Sequence, residues 1–229
     1  MGYSLSWYAV RGKTPQESCE QFGLETTGER EPLAESALVG IQLPGGWYVI
    51  VANQGAEFGI PVDVERLSLG GELIWCFIEE HVMYCCVEQW VDGQKKWSLV
   101  HDSGCGISHL KMEGELPPGS GAIRDRIMAK QQPAGGSQAE VDCAFDVPIE
   151  LAEALTGFRH DVEFVDDPFE VLEVNPTIAA GVGFRLRRVV ANFFGKLVLA
   201  AVLAVFLLGI GVALFGFLTL IVTIVQHLV

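Results

Sequence analysis

The sequence predicts an α+β fold: a mainly antiparallel sheet with a few short helices, followed by a C-terminal transmembrane helix. Three observations predict it. Aromatic and β-branched residues come in short runs separated by tight-turn dipeptides, the pattern of strands joined as meanders. The helical stretches between them are brief and carry their own start and stop signals. Finally, Leu197–Val229 runs 33 residues without an Asp, Glu, Lys or Arg.

The elements follow in chain order. Tyr3–Val10 alternates enough to read as a first strand. Thr14-Pro15-Gln16-Glu17 then opens a helix, with Thr14 as N-cap, Pro15 in the first turn and Glu17 completing a capping box; Gly23 ends it. Leu38–Leu43 and Trp47–Ala52 flank Pro44-Gly45-Gly46, a hairpin signal. Asp63–Leu69 reads as one or two helical turns stopped by Gly70-Gly71. The densest strand signal lies in Glu72–Glu80, Val82–Val91 and Lys95–His101, with Asp92-Gly93 as a tight turn. Ile107–Gly114 adds a further strand. Ala122–Gln132 is a polar helix with Ile123, Ile127 and Met128 on one side, and Pro148–Leu155 a last helix, capped by Asp146 and closed by Gly157.

Composition divides the chain into four parts. Residues 1–161 form an acidic soluble domain and 162–183, with Asn175-Pro176 and two late glycines, a linker. Residues 184–196 are a basic amphipathic segment, and 197–229 the transmembrane segment. As a helix, the last would be about 50 Å long, more than one span needs and short for two complete spans with a turn. One tilted helix is the favoured reading, and a shallow hairpin near Gly209-Ile210-Gly211 the rival.

The chain carries 15 basic and 29 acidic residues. Beyond Gly183 stand four basic residues, Arg185, Arg187, Arg188 and Lys196, and no acidic one, so residues 1–183 hold 11 basic and 29 acidic, a balance of −18. Such a domain repels nucleic acid and anionic lipid headgroups. The expected partners are therefore the lipid bilayer, through the tail, and a basic protein, with no nucleic acid. Arg185, Arg187, Arg188 and Lys196 form the expected membrane interface. Because they precede the apolar run, the positive-inside rule predicts an inner-membrane protein with its N-terminal domain in the cytoplasm. The six cysteines include no Cys-x-x-Cys pair, and with no leader visible they are expected as free thiols.

Candidate chemistry concentrates at histidines beside carboxylates. A pocket assembling Glu80, His81, His101 and Asp102 could bind a metal or do acid–base work, since imidazole and carboxylate are the groups such chemistry uses. Polar residues at strand ends are more ordinarily structural. Cys105, between two glycines, is the candidate nucleophile. Phosphate-binding, dinucleotide and Gly-x-Ser-x-Gly motifs are absent from the sequence, so no cofactor is expected. Trp75, Trp90, Trp97 and Tyr84 read as sheet packing.

The runs Glu79-Glu80-His81-Val82-Met83-Tyr84, Trp90-Val91-Asp92-Gly93 with Trp97, and Leu155-Thr156-Gly157-Phe158-Arg159-His160-Asp161 are similar to those of a set of uncharacterised bacterial proteins. The resemblance spans roughly residues 3–161 and implies a bacterial origin. It implies no activity, and no functional residue is carried over from it. Function thus rests on elimination. A membrane-tethered binding protein is expected, one concrete version being a bacterial immunity-type protein that neutralises a basic toxin. The alternative is a membrane-associated hydrolase built on the His/Glu/Asp cluster.

Overall fold

The first strand, β1 (Ser4–Arg11), is buried from Leu5 to Val10 because it occupies the middle of a nine-stranded sheet. A central strand covered on both sides must be apolar on both, which is why it departs from strict alternation. The computed structural model describes residues 2–56, 63–131, 133–136, 141–164 and 167–177, all within one unit spanning Met1–Ala180. The expected segment 184–196, the tail 197–229 and the interface residues Arg185, Arg187, Arg188 and Lys196 lie outside these. Among the described residues no helix is long and apolar enough to cross a membrane.

Helix α1 (Pro15–Phe22) starts on the expected capping box, with Thr14 Oγ1 accepting from Glu17 N and the Glu17 carboxylate accepting from Thr14 N. It ends on Gly23, whose φ of 71° is the left-handed conformation a helix stop favours. Strand β2 (Leu24–Glu31) follows, then the hairpin of β3 (Leu38–Gln42) and β4 (Trp47–Asn53), and the short helix α2 (Val64–Leu67). Strands β5 (Glu72–Glu79), β6 (Tyr84–Val91) and β7 (Gln94–Asp102) form the expected meander. Asp92 and Gly93 both have positive φ, 50° and 76°, as a two-residue hairpin turn requires. Strand β8 (Lys111–Gly114) is shorter than expected, and helix α3 spans Ser120–Gln131. Helix α4 (Asp146–Thr156) closes on Gly157, and β9 (Phe169–Val174) is the last strand in chain order.

The strand order is β2-β9-β3-β4-β1-β5-β6-β7-β8, and every neighbouring pair is antiparallel. Together with the few short helices this is the α+β architecture expected.

Two expectations need correction. The stretch read as linker contains β9, which inserts between β2 and β3 and buries Phe169 on one side of the sheet and Leu172 on the other. Asp146 does not cap α4: a 3₁₀ turn over Cys143–Phe145 runs straight into the helix, so Asp146 lies in its first turn.

The sheet has two apolar faces. On the first, α3 and α4 press Ile127, Val147, Ile149 and Leu151 against Trp7, Val49, Ile74, Cys76, Val87 and Leu99. On the second, α1 and α2 cover Tyr8, Val10, Tyr48, Ile50 and Leu73. After α4 the chain is pinned to the first face by aromatic rings. Phe158 meets Trp7 edge-on at 5.2 Å, and Phe164 stacks on it at 5.7 Å. Such pairs add about 0.5–1.5 kcal/mol beyond burial. Here they also hold the segment that carries Arg159, His160 and Asp161.

Candidate functional site

Three pieces of chain meet beside that segment. The β5–β6 turn contributes Glu80, His81 and Met83. The approach to α4 contributes Val141, Asp142 and Phe145, and the start of α4 contributes Asp146 and Ile149. The chain after α4 contributes Arg159, His160 and Asp161. Together with Gly2 they enclose an open cleft of about 620 Å³. Its N-terminal wall is tied down: Tyr3 N donates to the Glu80 carboxylate at 2.8 Å, and the Tyr3 ring sits edge-on to His160 at 4.8 Å.

Asp142 lines the cleft, and its partner is His101 on β7. His101 is wholly buried, with Nδ1 2.8 Å from the His109 carbonyl and Nε2 2.9 Å from Asp142 Oδ2. Both ring nitrogens thus face oxygen acceptors. The arrangement is satisfied when one proton lies between Nε2 and Oδ2, as an imidazolium–carboxylate pair or as a carboxylic acid donating to a neutral ring. His109 is fixed in turn, because its Nδ1 accepts from Asp102 N at 3.1 Å. The Asp142 side chain is only 8 % exposed, yet its second oxygen, Oδ1, has no hydrogen-bond partner.

His160 is the second such group. Its side chain is 3 % exposed, its Nε2 lies 4.0 Å from Glu80 Oε1, and its Nδ1 has no partner. Burial lowers its pKa, although Asp161 and Glu80 pull the other way, so the ring is neutral near pH 7. Asp146 shifts oppositely: burial raises its carboxyl pKa against the pull of Arg159. Arg159 is engaged with Asp161 at 2.7 Å, Glu153 at 3.3 Å and Asp146 at 3.8 Å. Burial works against ionisation of Asp161 too, but the Arg159 hydrogen bond and charge hold it below the usual carboxylate range.

The four residues expected to form one pocket do not converge. Glu80 lines the cleft. His81 lines it too, but its ring is 64 % exposed and bound to Glu79 at 2.7 Å. His101 reaches the cleft only through Asp142. Asp102, the next residue on the strand, points to the opposite face of the sheet, as alternation demands, and accepts from Gly104 N at 2.9 Å. Cys105 is exposed, and its Sγ lies 3.6 Å from Asp102, whose carboxylate raises the thiol pKa. That is the reverse of an activated nucleophile. Trp97 lies on the α3/α4 side and Trp75 and Trp90 on the other, so the tryptophans line no common cage. All six cysteines carry free thiols. Among the described residues no group of three or more His, Cys, Asp and Glu side chains comes together as a metal site.

Asp142 went unnoticed because nothing around it in sequence is periodic. Arg159 and His160 had a signal: a charged Arg-His-Asp run directly after a helix-ending glycine and a core phenylalanine.

A second concavity, of about 460 Å³, lies on the other face between α1, β2 and β9. Its floor is Cys19 and Tyr48, joined at 3.4 Å, and Glu20, Glu25 and Glu170 line it. Burial pushes both the Cys19 thiol and the Tyr48 hydroxyl upward, so both stay protonated.

Comparison of the chain with protein-family models, with curated proteins and with solved structures found no match.

Proposed function

We propose that this protein is a membrane-tethered binding module whose cleft engages a basic protein partner. One observation carries the reading: four carboxylates, Glu80, Asp142, Asp146 and Asp161, line one cleft beside a single arginine, Arg159. Acidic lining of this kind favours a positively charged partner. The net charge of the domain adds attraction over longer range.

The uncharged run 197–229 and the basic residues ahead of it support a tether in the inner membrane, with the acidic domain in the cytoplasm. Tethering raises the local concentration for partners at the same surface. Neutralising a basic toxin, in the manner of an immunity protein, is one form such a role takes. Affinity capture with the full chain in detergent micelles should retain a basic protein at low salt and release it at high salt. Capture indifferent to salt would overturn a charge-driven contact. Protease added outside intact cells should leave the acidic domain whole, and its digestion would overturn the orientation.

A hydrolase is the second reading, favoured by a specific pair. His160, its pKa lowered by burial, is a neutral ring able to accept a proton near pH 7, and the Asp146 carboxyl, its pKa raised by burial, lines the same cleft. Turnover of an ester, amide or phosphoester that disappears in His160→Gln would support it. Absence of turnover across that panel would leave the binding module.

A further inference from the structure

We propose that β8 is a self-pairing edge, through which two copies of this chain join antiparallel with Met112 opposite Met112 of the second copy. The inference goes beyond the binding reading and makes no use of the cleft. Three features of the edge select it.

The first is an open ladder. Strand β8 stands at one end of the strand order, and among the described residues it pairs only with β7. Ser103 N donates to the Met83 carbonyl at 3.2 Å across the β6–β7 ladder. Alternation from that bond turns the backbone of Ser98, Val100 and Asp102 toward β8. Asp102 N agrees, donating to His109 Nδ1 at 3.1 Å. Ser98 and Val100 stand opposite Glu113 and Lys111. The N–H and carbonyl of Met112, between those two, therefore point outward from the edge. Two copies placed antiparallel can exchange both hydrogen bonds there.

The second is charge. Lys111 and Glu113 flank Met112, their side chains 63 % and 48 % exposed. With the two-fold axis at Met112, each Lys111 stands opposite the second copy's Glu113. Opposite charges in such cross-strand pairs attract, and like charges repel. A register displaced by two residues keeps the hydrogen bonds but centres on Lys111 or on Glu113. It sets lysine against lysine, or glutamate against glutamate. Charge thus singles out one register. The other edge lacks this symmetry: β2 carries Glu25, Glu29 and Glu31 against Arg30, and its ladder is interrupted between Thr26 and Arg30.

The third is apolar cover. Met112 is 46 % exposed and borders a small hollow with Leu99, Leu110, Leu116 and Val147. A two-fold axis normal to the sheet puts both Met112 side chains on this face. Methionine adapts to irregular gaps, so each can cover the other's apolar surroundings.

The test uses the full chain in detergent micelles, labelled with 15N at methionine. Exchange of the Met112 amide with heavy water is followed at about 0.15 M salt, which screens charge repulsion beyond about 8 Å. Screening matters because each chain carries a formal charge of −14. A four-residue edge makes a small, reversible contact. Exchange should therefore slow as protein concentration rises, about tenfold once roughly nine chains in ten are paired. Lys111→Glu or Glu113→Lys turns two symmetric attractions into repulsions and should weaken pairing about tenfold. An equal mixture of the two single variants should regain the protection, because each chain then meets its complement. The double variant should regain it alone. Glu29→Lys, on the β2 edge, should change nothing.

Fast Met112 exchange at every concentration would overturn the proposal. So would protection that survives both single reversals, since another segment of the chain would then be covering the edge. A mixture that fails to regain protection would overturn it too, when near-ultraviolet circular dichroism of each variant matches the unmodified chain. If a single variant misfolds, the double variant and the concentration series decide.

Discussion

The two concavities lie on opposite faces of one sheet and differ in how their polar groups are met. Beside α1, Cys19 and Tyr48 satisfy each other, Glu170 is paired with Arg30 at 3.0 Å, and Glu25 accepts from Asn175 at 2.7 Å. Beside α4, two side chains more than nine-tenths buried keep an atom unpaired, Asp142 Oδ1 and His160 Nδ1. Both sites hold acids, and both are large enough for a side chain. Acidic lining and volume therefore do not distinguish a site from a crevice here. The two differ in unmet hydrogen-bonding capacity, which costs the fold stability.

That contrast can be broken by mutation. The largest effect is expected at Asp142→Ala, which strips His101 of its partner in a fully buried setting. Removing one member of a buried pair costs about 3–5 kcal/mol, and the midpoint of urea unfolding should fall accordingly. A loss below about 1 kcal/mol would mean that the pair does not stabilise the fold, and the cleft would then resemble the α1 side.

Next comes the α1 side itself. A Cβ on Gly40 would lie 2.2 Å from the Tyr48 hydroxyl oxygen and 2.8 Å from Cζ. Gly40→Ala should cost about 1–3 kcal/mol by overpacking. Combining it with Tyr48→Ala should give less than the sum of the single losses, because the clash goes with the ring. Strict additivity would show that Gly40 matters for another reason.

The pH dependence sharpens the comparison further. Burial depresses the His160 pKa from its ordinary 6.5, so the unfolded chain binds that proton more readily than the folded one. The stability this gives is full above about pH 6.5 and is lost as pH falls toward the folded pKa. The slope is at most about 1.4 kcal/mol per pH unit. His160→Phe should flatten this part of the profile and leave stability at pH 7.5 unchanged or higher, since an orphan polar atom is replaced by an apolar ring. A large loss of stability at pH 7.5 would identify His160 as structural.

The smallest effect is expected at Tyr48→Phe. It removes the 3.4 Å contact to Cys19 and should cost about 0.5 kcal/mol, the low end for a neutral hydrogen bond. A much larger loss would mean that the α1 side also has polar interactions essential to the fold.

Much of this architecture was legible in the sequence. The capping box at Thr14 and Glu17, the Pro44-Gly45-Gly46 hairpin and the Asp92-Gly93 turn all appear where expected. Their signals are local, set by the φ angles glycine permits and by bonds three or four residues long. Strand β2 had no such signal. Its sequence, Leu-Glu-Thr-Thr-Gly-Glu-Arg-Glu, is exposed almost throughout because it is an edge strand paired only with β9. Polar, charged edges discourage pairing with other chains, and that composition reads as loop. Strand β9 was hidden by its neighbourhood of Asp-Pro and Asn-Pro steps, which are turn signals.

By itself the sequence determined the antiparallel meander, the helix ends, the free thiols and the separation of an acidic domain from an uncharged, apolar C-terminal run. Tertiary structure alone decided which polar groups meet. His101 and Asp142 are 41 residues apart, and Glu80 and His160 are 80 residues apart. Their meeting depends on α4 and the ring cluster of Trp7, Phe158 and Phe164. Local signals arise from a residue's own backbone and its near neighbours. A contact across the sheet is chosen by the packing of everything between, and no short window of sequence records that choice.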